Sequence, residues 1–115
     1  MNHHYRLTPH LVVVLEDVVD IGNVHEVQRW MCAVARTGDH RSVVVDVRST
    51  LLTSTALHML FAFQGVVNDE GRSLCLLMRH PLALKVLRLT DLYAAFHLVS
   101  ALPEPLGAAE VRGWG

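Results

Sequence analysis

Three short apolar runs constrain this chain more than any other feature. Leu11–Leu15 reads Leu-Val-Val-Val-Leu, Ser42–Val47 reads Ser-Val-Val-Val-Asp-Val, and Ser73–Met78 reads Ser-Leu-Cys-Leu-Leu-Met. None alternates apolar with polar residues, so each predicts a strand covered on both faces rather than one wetted on one side. Tyr5–Leu7 predicts a short edge strand, with Pro9 and His10 as the turn that follows it.

Helical patterns fill the gaps. Val27, Trp30, Met31, Val34 and Ala35 recur at i, i+3, i+4, i+7 and i+8 and share one helix face. Asn23 and Glu26 have the spacing of a capping pair ahead of it, and Gly38 is placed to stop it. A second helix is expected from about Thr53 to Asp69. Its inward face is read as Leu57, Leu60, Phe61 and Gln64, and Gly71 marks its exit. A third begins at Pro81, a residue suited to the first helical turn. Tyr93–Val99 predicts a last strand, and Ala108–Arg112 a short helix. Alternating strands and helices specify the α/β class, a four- to five-stranded mixed sheet with helices packed on it. At 115 residues the expectation is a single domain over 1–115. Val44 and Leu76 are expected to be fully buried, and Trp30 largely so.

Composition removes several function classes. Hydrophobic residues are 51% and charged residues 18%, enough to fill a core. Ten Lys and Arg against eleven Asp and Glu leave a formal charge of -1, which lacks the basic footprint of a nucleic-acid binder. The longest apolar stretch, Leu57–Val67, is interrupted by His58 and Gln64 and falls short of the roughly 20 residues of a membrane span, so no membrane insertion is expected. Met1–His10 lacks the apolar centre of a secretory signal. No CxxC, HExxH, Walker loop or GxGxxG occurs. The eight histidines are scattered, and neither a metal site nor a cofactor is expected. Cys32 and Cys75 sit in apolar stretches and read as buried thiols. With no disulfide framework, the expected compartment is the cytoplasm.

The stretch Val43–Leu60 is more specific. Val-Val-Val-Asp-Val-Arg-Ser-Thr-Leu-Leu-Thr-Ser-Thr-Ala-Leu-His-Met-Leu resembles the signature of STAS domains, the anti-sigma-factor antagonist family. There a strand ending in Asp leads through a loop to Asp-Ser-Ser-Gly-Leu or Asp-Ser-Thr-Gly-Leu at a helix start. Asp46 matches the strand Asp, and Thr53, Ser54, Thr55, Ala56 and Leu57 stand where the signature falls. Leu15–Val24 is similar to the family's Gly-Glu-Leu-Asp segment, with Asp20 at its Asp. Pro81–Leu92 is similar to Pro-Ala-Val-Arg-Arg-Val-Leu-Glu-Leu-Thr-Gly-Leu. The resemblance covers about residues 10–100. Thr53 replaces the signature Asp, Ala56 its Gly, and Asp91 the Gly of the Thr-Gly-Leu turn.

The resemblance implies switching rather than catalysis, so no enzyme is expected. An antagonist of this family binds an anti-sigma factor that is also a serine kinase, and a serine/threonine phosphatase opposes the kinase. The implied phosphoacceptor is Thr55, with Ser54 second, and Asp20, Asp46, Thr53, Ser54 and Ala56 form the loop around it. A phosphate there adds about -1.5 to -2 charges, which a helix N-terminus accommodates. The ordinary reading of Thr53-Ser54-Thr55 is a helix cap, and it stays open beside the acceptor. Met59, Phe63 and Val66 form a second apolar stripe at i, i+4 and i+7 on the second helix, which carries no charge between Thr55 and Asn68. That stripe is the expected partner-binding surface, the alternative being that a homodimer contact or the C-terminal segment covers it. Two further functions fit the residues. One is a STAS module without phosphorylation, docking constitutively on a transporter ATPase or signalling scaffold. The other is a small-ligand or nucleotide sensor, which no phosphate-binding glycine loop supports.

Overall fold

The structure is a computed structural model that describes residues 1–103. The expected helix over Ala108–Arg112 lies outside the described residues. The elements are β1 (His3–Leu7), β2 (His10–Leu15), α1 (Val24–Ala35), β3 (Ser42–Val47), α2 (Ser54–Asp69), β4 (Ser73–Met78), α3 (Pro81–Arg88), a 3-10 turn (Asp91–Ala95) and β5 (Leu98–Val99). The sheet order is β1-β2-β3-β4-β5. β1 runs antiparallel to β2 across a tight turn at Thr8-Pro9, whose peptide is cis. The other neighbours are all parallel.

Each parallel step moves one strand in the same direction. Right-handed crossovers repeated that way place every helix on one face of the sheet. Accordingly Leu11, Val13, Val43, Val45 and Leu76 pack with Met31 of α1, Phe63 of α2 and Leu87 of α3. The alternate residues Val12, Val14, Val44 and Leu77 form a separate cluster on the other face, joined by Tyr5, Leu7 and Leu102. The central strand residues are buried on both faces, as the unalternating runs required. Val44 and Leu76 are fully buried. Trp30 is only partly buried, at the rim of the α1 face, with its ring 6.1 Å from that of His4.

Three local expectations change. Asn23 precedes α1 but does not cap it through its side chain. Its amide instead spans the loop, accepting from Asp20 N and donating to Val18 O. The segment from Tyr93 does not continue a strand: a 3-10 turn occupies Asp91–Ala95, and only Leu98–Val99 pair with β4. Cys32 and Cys75 are half-buried rather than enclosed. No helix among the described residues is long and apolar enough to cross a membrane.

α2 packs in a different phase from that expected. Its inward residues are Ala56, Leu57, Met59, Leu60, Phe63 and Val67. Phe61 is exposed and meets Phe96 edge-on at 6.4 Å, while Gln64 Nε2 donates to Ala95 O at 2.8 Å. Met59 and Phe63 therefore belong to the core, and Val66 is half-buried, so this stripe is not a docking surface. The helix is apolar on both flanks, and periodicity alone could not choose which flank the sheet would take.

Behind α1, a buried histidine sets a pH dependence. His40 is buried, and its Nε2 faces Arg72 Nη1 at 3.0 Å. Arginine only donates, so Nε2 accepts and the proton sits on Nδ1, which has no partner among the described residues. Burial, then the charges of Arg72 and Arg6, hold the imidazole below its usual 6.5. The unfolded chain therefore takes up a proton before the folded one does. This contribution to stability is complete above about pH 6.5 and is lost as the pH falls through the lower folded value. Urea unfolding at pH 7.5 and 5.5 should show the loss, and His40→Leu should reduce it.

Candidate functional site

The parallel strands β2, β3 and β4 all end at one edge of the sheet, and each turns there into a helix. Thr53, Ser54, Thr55 and Ala56 occupy the middle of these three connections. Thr53 has extended backbone, φ -84° and ψ 159°, and is the N-cap of α2. Its Oγ1 accepts from Ala56 N at 3.0 Å and donates to Val19 O. One hydroxyl thus satisfies an orphan amide of α2 and ties the helix start to the preceding connection. An Asp, as in the resembled signature, could accept from Ala56 but could not donate to Val19. Thr53→Ala should cost about 1–2 kcal/mol, read from chemical unfolding. Thr53→Asp should keep the cap and lose the tie to Val19, giving a smaller loss.

With Thr53 turned inward, Ser54 and Thr55 take the first two helical positions. Ser54 is exposed and Thr55 is half-buried, and neither hydroxyl is hydrogen-bonded among the described residues. The first turn of α2 contains no acidic side chain, so no carboxylate competes for the positive end of the helix dipole. Ala56 is buried, its methyl packed into the core where the signature would have glycine.

Asp20 lies on the neighbouring connection. Its carboxylate accepts from Gly22 N at 2.9 Å and Asn23 N at 3.2 Å, which shapes the entry to α1. The Thr53–Val19 bond brings this loop against the start of α2. Asp46 does not join them. Its register row is Val14–Asp46–Leu77, on the sheet face away from the helices. It is fully buried there, held by Arg79 Nε at 3.0 Å and Nη2 at 3.2 Å and by Arg48 Nε at 3.3 Å and Nη2 at 3.2 Å. Asp46, expected in the loop around the acceptor, thus lies on the opposite face and is taken up by the two arginines. The hydrogen bond to Asp46 in turn raises the Arg79 guanidinium above its ordinary value.

Sequence reasoning missed three apolar side chains on this rim. Ile21 is 83% exposed, Leu51 56% and Leu82 61%. They lie on or just after the connections that follow β2, β3 and β4, so they follow one another along the sheet edge. The signal was available: Ile21 is the one large apolar residue inside the turn-rich stretch Asp20-Ile21-Gly22-Asn23. No three His, Cys, Asp or Glu converge as metal ligands among the described residues. The rim combines two hydroxyls that have no hydrogen-bond partner among the described residues with exposed aliphatic side chains.

Comparison with solved structures finds the same architecture. An anti-sigma factor antagonist from Mycobacterium paratuberculosis superposes with a TM-score of 0.78 at 21% identity, covering 96% of this chain and 93% of that one. The fold is that of the STAS domains. The anti-sigma factor antagonist SpoIIAA in its unphosphorylated form gives a TM-score of 0.67 at 14% identity, covering 98% and 97%. The protein TM1081 gives 0.73 at 13%, covering 96% and 86%. No family model matches the sequence, and no curated protein does. At such identities the likeness lies in the order and packing of elements, and the STAS fold is what this chain shares with these structures.

Proposed function

We propose that this chain is an interaction protein of the anti-sigma-factor antagonist type, working in the cytoplasm without catalysing a reaction. Its partner is an anti-sigma factor with serine kinase activity, and Thr55 is the phosphoacceptor, with Ser54 second. A serine/threonine phosphatase reverses the modification. The observation that carries this reading is the division of labour at the start of α2. Thr53 is spent on the cap and on Val19, which leaves Ser54 and Thr55 without hydrogen-bond partners among the described residues. Two solved structures of the same fold are anti-sigma factor antagonists, which supports the reading.

In this proposal the docking surface is the rim of Ile21, Leu51 and Leu82, not the α2 stripe. Exposed apolar side chains at the same end of the sheet as a modifiable hydroxyl offer a surface that a partner can desolvate. A phosphate on Thr55 would place about -1.5 to -2 charges in that apolar contact and weaken it, while the α2 N-terminus would keep the domain folded around it.

The test uses the purified chain, its cognate anti-sigma kinase and ATP, with mapping of the modified residue. Thr55→Ala should abolish incorporation, and Leu51→Asp should lower affinity for the kinase by at least about tenfold at unchanged stability. Label persisting in Thr55→Ala would refute the acceptor. A second reading rests on the two signature positions that differ, Thr53 for Asp and Ala56 for Gly. They favour a module that binds a transporter ATPase or scaffold without phosphorylation. Tight kinase binding with no incorporation would select constitutive docking.

A further inference from the structure

A second concavity lies at the opposite end of the sheet, on the face without helices. Its volume is about 580 Å³, within the range of small-molecule sites. The strand register explains its shape. His10, Ser42 and Ser73 begin β2, β3 and β4 and stand side by side in one row. In the next row come Val44 and Cys75, and beside Cys75 the chain carries His97 just before β5. The two central strands thus contribute small side chains, which leave a trough. Imidazoles stand on either side of it, about 14 Å apart by strand spacing. Pro103 lines it further along the chain.

The two rows differ in chemistry. The His10–Ser42–Ser73 row is polar, and His10 Nδ1 is hydrogen-bonded to Ser42 Oγ. Whichever of the two donates, the pair keeps one donor for a ligand: the imidazole Nε2–H if Ser42 donates, the Ser42 hydroxyl if Nδ1–H does. The Ser73 hydroxyl, exposed at the start of β4, is a second donor. The floor beyond, the half-buried Cys75 and then Val99, with Val44 buried beneath, is apolar. No Asp or Glu is among the described residues lining the trough.

We propose that this trough binds a small molecule with an apolar body and a carboxylate head. The head accepts hydrogen bonds from Ser73 and from the His10–Ser42 pair, and the body lies across Cys75 and Val99 toward β5. Donors gathered in one row without a competing acid select an anionic acceptor. An elongated apolar floor selects a chain or flat ring over a compact polar ligand. The site is at the N-terminal ends of the parallel strands, away from the Thr53 rim, and stands independently of the phosphorylation reading.

The test is calorimetric titration of the full chain with decanoate below its micellar concentration. Saturable binding with one site per chain is expected. Decanol, with the same tail and no carboxylate, should bind at least about fivefold more weakly. Ser73→Phe should fill the polar end and abolish binding, with the fold checked by circular dichroism. On the unmodified chain, decanoate should slow maleimide labelling of Cys75 at least about fivefold and leave Cys32, on α1, as an internal control. Absence of saturable binding overturns the proposal. So does equal affinity for decanol, or equal labelling of Cys75 with and without decanoate.

Discussion

Phe63→Ala is expected to lower the unfolding free energy by about 3–5 kcal/mol, the range for truncating a buried aromatic residue. Phe63 is fully buried and heads the largest enclosed side chains of the chain. It faces the sheet from the middle of α2, in one cluster with Val45, Leu76 and Met31. The loss is apolar contact plus the cavity that neighbouring side chains cannot close. In a domain of this size such a loss is a large fraction of the whole stability. Urea unfolding followed by circular dichroism reads it directly. Phe63→Asp should leave no folded protein, because a carboxylate at that depth has no partner. A stable Phe63→Asp variant would contradict the packing phase of α2 and restore its outer stripe as a docking surface.

Arg79→Ala should cost about 2–3 kcal/mol. The Asp46 carboxylate is fully buried and receives two bonds from Arg79 and two from Arg48. Removing one guanidinium leaves a buried anion with half of its donors, and breaking a buried pair costs more than the pair contributes net. The figure sits below the full range because Arg48 remains. Arg79 is itself 42% exposed, so its removal opens a path by which water can reach the carboxylate. Arg48→Ala/Arg79→Ala should exceed the sum of the single changes, since only the double variant strands the carboxylate entirely. Asp46→Asn, which removes the charge while keeping the shape, should be milder than Arg79→Ala. Negligible losses for all of these would mean that the network is dispensable.

Several features were legible because they follow from local rules. The sequence Thr53-Ser54-Thr55 before an apolar run announces a helix start. The structure agrees within one residue, with Thr53 as the cap. Gly38 and Gly71, read as helix exits, both adopt φ of +75°, a conformation that side chains with a Cβ disfavour. The 3-10 turn at Tyr93, where a strand is expected, was not legible, because Leu92, Tyr93 and Phe96 are apolar in any conformation. Only the reach back to β4 decides that pairing starts at Leu98.

The candidate site divides the same way. Its hydroxyls and Asp20 lie close in sequence to recognisable turns. Asp46 was misplaced because strand alternation puts it on the far face, and its partner Arg79 is 33 residues away. By itself, then, the sequence determined the order of elements, the class of the sheet and the capped start of α2. Each rests on side-chain period and backbone propensity within a few residues. The tertiary structure alone decided which flank of α2 is buried, that Asp46 pairs with two arginines, and that Ile21, Leu51 and Leu82 share one rim. Those outcomes depend on which surfaces meet across the sheet, and a uniformly apolar helix or a lone carboxylate carries no local mark of its eventual neighbour.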